Sequence, residues 1–336
     1  MHQKFPKIRG FANIARDLNY TGEDTPDKIW FGTKVKLHGT NSGIRIDADG
    51  TVTGQARNRD IDPAKPGDHF GFSGFVQEHA GFFQRYQPTT FKSVVIYGEW
   101  AGPGVQKKVA VSLLNKKYFF VFAIKFVNGE GDHWMIDPHL ITSYLGYADA
   151  MLPAPDEIRV VPWYSTVCLD TRYQDDAQRL VDELNKAVAV IDVCDPYIHA
   201  QFGVSGIGEG LVVYPLLSDN TTAELERLIF KVKGGSHSAS GGAKPARIKP
   251  LASKDVFDFA DQTVTDDRME QALQESGATD IGDTGRVIGW VCRDVATESV
   301  DELEASGLDW KQVQGVVATR AREWFHRHLD QVVFPA

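Results

Sequence analysis

The stretch Lys36-Leu37-His38-Gly39-Thr40-Asn41 follows Ile29–Val35, a run whose β-branched and aromatic residues favour an extended strand. A glycine three residues after a lysine turns the chain sharply at the strand's end. Lys36 is thereby presented at a sheet edge, where a ligand can reach it. Beyond the turn, Ile44 and Ile46 alternate with polar residues, Asp49-Gly50 signals a reversal, and Thr51-Val52-Thr53 resumes the extended pattern. Further strands are expected at Val94–Trp100, Tyr118–Phe126, Gly210–Leu216 and Leu228–Lys233. One helix is expected over Asp175–Ile191, where Ala177, Leu180, Val181, Leu184 and Val188 fall on one face. Strands that come in runs, not in strict alternation with helices, argue for an antiparallel α+β architecture.

The pattern changes after Gly234-Gly235-Ser236-His237-Ser238-Ala239-Ser240-Gly241-Gly242, a flexible stretch by composition. Asp266–Glu275, Thr284–Thr297 and Trp310–Leu329 carry helical spacing. The expected organisation is a sheet domain over 1–243 and a small all-helical domain over 244–336. Charge divides the same way: residues 1–244 hold 26 basic and 28 acidic side chains, and residues 245–336 hold 10 and 17. A net charge of −9 over 336 residues disfavours a generally basic nucleic-acid coat but leaves room for a local basic groove. Three distant cysteines, Cys168, Cys194 and Cys292, build neither a disulfide framework nor a zinc site. With no long apolar run and no signal-peptide core in MHQKFPKIRG, the expectation is a soluble cytoplasmic protein. There is no GxxxxGK[ST] loop, no GxGxxG after a strand, no HExxH and no GxSxG. Any metal should therefore be a hard ion held by carboxylates and phosphate.

Five further segments follow the lysine turn in order. Arg57-Asn58-Arg59 comes after the first hairpin, and Tyr97-Gly98-Glu99-Trp100 runs into Ala101-Gly102-Pro103-Gly104. Tyr118-Phe119-Phe120-Val121-Phe122 is an aromatic strand, and Glu209 precedes the apolar Gly210-Leu211-Val212-Val213-Tyr214. Phe230-Lys231-Val232-Lys233 puts two lysines on one strand face. In this order the segments resemble the motifs of covalent polynucleotide ligases and capping enzymes. The HGTN continuation, the AGPG stretch and the YFFVF strand are most similar to the RNA ligase 2 family. Arg268, Ala272-Leu273, Gly277 and Gly285–Val295 resemble that family's helical C-terminal domain.

The resemblance implies an ATP-dependent RNA ligase that works through lysyl-AMP and a 5′-adenylylated end on nicked duplexes or RNA-containing hybrids, as a monomer with Mg2+ or Mn2+. It implies that Lys36 is the nucleophile, a role needing the neutral amine although a free lysine has a pKa of about 10.4. Lys231, Lys233 and a divalent cation would lower that value by repulsion. Glu99 and Glu209 are then the metal or ribose carboxylates, and Lys231 and Lys233 hold the α-phosphate. Val35, Leu37 and Phe119 join the AMP site, with Phe119 stacking on adenine and Phe120 on the opposite face. The acidic residue usual at Ala123 is missing. Either Arg57 or Arg59 engages the 5′-phosphate, and His38 and Asn41 orient the adenylylated end. Lys107, Lys108, Lys116 and Lys117 are candidates for the phosphate backbone, and Arg320, Arg322 and Arg327, with His326 and His328, for a C-terminal RNA contact. A DNA ligase would add an OB-fold after Lys233, where helices are expected here. A capping guanylyltransferase is separated by GTP against ATP. An inactive RNA-binding homologue would have no use for Lys36, Glu99, Glu209, Lys231 and Lys233 together.

Overall fold

The computed structural model describes residues 1–11, 14, 26–64, 68–129, 131–146, 154–173, 176–217, 221–234 and 256–333. The chain divides into two compact units, Met1–Asp62 with Gly71–Gly234, and Pro63–Phe70 with Gly235–Ala336. The boundary expected at 243/244 lies outside the described residues.

The first unit is built on two sheets. One has the order β1 (Arg9–Gly10), β11 (Phe230–Lys233), β10 (Gly210–Pro215), β2 (Lys28–Lys36), β9 (Ser165–Asp170). The other runs β4 (Val52–Ala56), β3 (Thr40–Asp47), β5 (Ser93–Ala101), β6 (Tyr118–Val127), β7 (His133–Met135), with β8 (Ile158–Val160) beside β6. All neighbours are antiparallel except β1 with β11 and β6 with β8. This is the α+β class expected from the runs of strands.

Alternation along β2 decides what each face meets. Ile29, Phe31 and Val35 pack against Leu180, Leu184, Val188 and Ile191 of helix α2 (Asp176–Ile191). Helix α1 (Phe72–Glu78) covers β4 and the outer side of the second sheet. Each buried aliphatic side chain contributes about 1.5–3 kcal/mol. The opposite face of β2, with Gly32, Lys34 and Lys36, looks toward the second sheet, where Val95, Tyr97 and Ala123 meet Val212 and Tyr214 of β10. The two sheets therefore enclose a layer that ends at Lys36.

In the second unit, helices Val256–Thr263, Asp266–Ser276, Thr284–Glu298, Val300–Ser306 and Trp310–Val333 surround a core including Met269, Val287, Val291, Val313, Val317 and Phe325. Among the described residues, no helix is long and apolar enough to cross a membrane.

Candidate active site

Register brings the distant lysines together. Gly210 on the central strand β10 faces Lys36 of β2 on one side and Lys233 of β11 on the other. Directly paired residues share a face, so both lysines rise beside a residue with no side chain. Gly210 has φ +146°, and a Cβ there would lie 2.1 Å from the Val232 carbonyl oxygen. One step along, Lys34, Val212 and Lys231 form a second row on the same face.

Glu209, just ahead of β10, is the hub. Its carboxylate is 3% exposed; Oε2 accepts from Lys36 Nζ at 2.5 Å and faces His38 Nδ1 at 3.1 Å, and Oε1 is 3.6 Å from Lys233 Nζ. Burial works against this charge, yet Lys36, His38 and Lys233 outweigh it and hold the Glu209 carboxyl well below its usual range. Glu99 comes from the second sheet, and its Oε1 accepts the Gly39 backbone N–H at 3.0 Å. The turn lies so close to β5 that a Cβ on Gly39 would sit 2.5 Å from the Trp100 carbonyl oxygen. Burial pushes the Glu99 carboxyl up to about 7, with Lys36 pulling it down and Glu209 adding to the rise. The two neighbouring carboxyls are thus pushed in opposite directions by their surroundings.

Asn41 pairs with Glu99, which pairs with Phe120, so these three share the site-facing side of the second sheet. Phe119 does not. It pairs with Trp100 on the other side, fully buried against Phe72 and Phe75 of α1 at ring separations of 5.2 and 6.2 Å. Phe119, expected to stack on adenine, thus has its ring in the outer core, on the face away from Glu99. Phe120, expected on the opposite face, is the one aligned with Glu99, and its ring packs near Tyr197. Val35 and Leu37 also send their side chains into the helix-side core.

Arg57 and Arg59 lie at the tip after β4. Ser42 pairs with Ala56 and Asn41 with Glu99, so this tip stands at the Glu99 end of the sheet. Of the four loop lysines, Lys116 is engaged by Asp156 at 3.1 Å and Glu157 at 2.7 Å. In the second unit, Arg320 is bound to Asp261 and Glu323, and Arg322 points about 200° away from it around the helix. Arg320, Arg322 and Arg327 therefore do not form a single face.

Sequence reading passed over Lys34, which shares the site face of β2 and is fully buried. The signal was present in the repeated Lys-Val-Lys of 34–36 and 231–233, whose alternation puts all four lysines on one side.

Among the described residues, no cluster of three or more His, Cys, Asp or Glu side chains stands ready for a metal. Glu99 and Glu209, close enough to feel each other's charge, fit instead an ion of the magnesium class. Such an ion takes one or two carboxylates and fills its shell with phosphate oxygens and water.

A strand-end lysine held by a buried carboxylate, with a second lysine on the far side of β10, is a constellation whose charges suit a phosphoryl group, set between two mostly antiparallel sheets. The chain belongs to the RNA ligase family, whose model matches residues 31–233. It is similar to solved structures of Naegleria gruberi RNA ligase. An apo mutant matches at 15% identity and TM-score 0.45, over 70% of this chain and 56% of that one. A mutant with ATP and Mn matches at 16% identity and TM-score 0.44, over 70% and 57%. The chain spans a little over half the length of those proteins.

Proposed function

We propose that this chain is an ATP-dependent RNA ligase. Lys36 Nζ attacks the α-phosphorus of ATP; an N–P bond forms, pyrophosphate leaves and the amine gives up its proton. AMP then passes to a 5′-phosphate, and a 3′-hydroxyl attacks that end, forming the phosphodiester and releasing AMP.

The observation that carries this reading is the Lys36–Glu209–Lys233 row, closed at 2.5 and 3.6 Å. Glu209 holds the resting ammonium in place, and the cations of β11 oppose its charge, which favours loss of the proton needed for attack. Lys231 and Lys233, on one face of β11, would receive the α-phosphate oxygens as negative charge builds on them. A magnesium- or manganese-class ion, when bound, would neutralise charge on the transferring phosphate, and Glu99 and Glu209 are the carboxylates suited to hold it. His38, against Glu209, and Asn41, beside Glu99, are assigned to orienting the adenylylated end, and Arg57 or Arg59 to its 5′-phosphate.

In this reading residues 1–243 carry adenylylation and 244–336 engage the nucleic acid, with nicked RNA duplexes or RNA-containing hybrids as substrates of a monomer. A reducing cytoplasm is the setting this reading expects for a chain whose three cysteines lie far apart in sequence. Incubation with labelled ATP and magnesium, followed by a denaturing gel, tests the reading. A protein-bound label is expected. Its absence, or labelling by GTP in preference to ATP, would overturn it.

A further inference from the structure

The tip that carries Arg57 and Arg59 is fastened from two directions. The Ala56 N–H donates to the Arg59 carbonyl at 2.9 Å, and Gln55 bridges to Asp60, closing the turn. Behind it, buried Arg45 donates through Nη1 to both Asp60 oxygens, at 3.1 and 2.9 Å, while its Nε is held by Asp47 at 3.1 Å. A guanidinium fixed on both sides gives Asp60 a defined place. Asp60 in turn meets His2, whose Nδ1 lies 3.1 Å from Oδ1, and Gln55 Nε2 donates to the same oxygen at 2.7 Å. The second nitrogen of His2 reaches the Arg57 carbonyl oxygen at 3.2 Å. A carbonyl only accepts, so His2 Nε2 donates there.

We propose that His2 is a positioning residue for the 5′-phosphate subsite, fixing the peptide plane that follows Arg57 and hence the direction in which the two arginines are presented. This rests on the ligase reading above. Arg45 and Asp60 hold the base of the tip, whereas His2 acts on the Arg57 backbone itself. Its contacts reach neither Lys36 nor Glu209, so its effect falls on the step that uses the 5′-phosphate. A displacement of a fraction of an ångström suffices, because transfer depends steeply on alignment of the reacting groups.

The test separates the steps in single turnovers of the full chain. His2→Ala should form the AMP adduct within about twofold of wild type, yet pass AMP to the 5′-phosphate of a nicked RNA duplex on the order of tenfold more slowly. His2→Gln, which keeps a donor toward the Arg57 carbonyl, should recover most of the rate. Unimpaired transfer in His2→Ala, or an equal loss in both steps, would overturn the positioning role. Wild-type adduct is the internal reference: if none forms, the ligase reading falls and the proposal with it.

Discussion

Lys34 and Lys36 stand two residues apart on one face of one strand and meet opposite surroundings. Lys36 is 22% exposed at the strand's end, whereas Lys34 Nζ donates to the carbonyls of Phe122 and Ile136, both at 2.7 Å, above the rings of Trp163 and Tyr214. Burial brings the Lys34 amine down to about 7, with Asp137 partly opposing the fall. The unfolded chain keeps that proton up to a pKa of about 10.4, so between the two values folding releases it and rising pH favours the folded state. The burden of the buried charge is complete below pH 7 and lifts as the pH climbs. Urea unfolding of wild type and Lys34→Met across pH 6–10 should show wild type gaining on the variant as pH rises; parallel curves would contradict the assignment. For Lys36, replacement by Ala should abolish the AMP adduct while leaving sealing of a pre-adenylylated nick, read on denaturing gels. Lys36 was legible because its motif is local. The face that Lys34 occupies was legible in the Lys-Val-Lys repeat, but its burial was not, because the carbonyls that hold it lie 88 and 102 residues away in sequence.

The aromatic strand β6 shows the limit of periodicity for a whole element. Alternation correctly separates Phe119 from Phe120, but which side meets the site depends on α1, which covers the face holding Phe119, Trp100 and Phe75. A register shift opposite Tyr97 and Gly98 also alters the count along the strand. Gly98 receives the Phe119 ring so closely that a Cβ there would lie 2.5 Å from it. Phe119→Leu should therefore lower stability by about 1 kcal/mol, as a core substitution of similar volume does. The KM for ATP in adduct formation should stay within about twofold of wild type; a tenfold rise without loss of stability would return this ring to the nucleotide. The helices of the second unit were easier to read. Asp266–Ser276 and Thr284–Glu298 begin and end within two residues of expectation, because apolar spacing is local and the first is bounded by the Thr265 cap and Gly277. Val300–Ser306, seven residues long, was too short for a period to emerge.

At the scale of the molecule, the motif-bearing strands all fall within the first unit and the basic C-terminal helix within the second. A fragment ending at Gly234 should keep adduct formation and lose most nick sealing. Labelled AMP on the fragment, beside a sealing assay, checks both halves of that expectation. The sequence showed where composition changes, but not that Pro63–Phe70 joins the second unit, since packing between remote segments leaves no local mark. One pairing in the first unit bears on synthesis itself. The edge strand β1, at Arg9–Gly10, lies parallel to Phe230–Lys231, about 220 residues later in the chain. At translation speeds of 5–20 residues per second, β1 waits on the order of tens of seconds for its partner to leave the ribosome. The strand that completes the lysine row is the last of the sheets to be made. On the ligase reading, a truncated product that stops before Phe230 lacks the strand bearing Lys231 and Lys233 and should form no AMP adduct, which labelled ATP and a denaturing gel check.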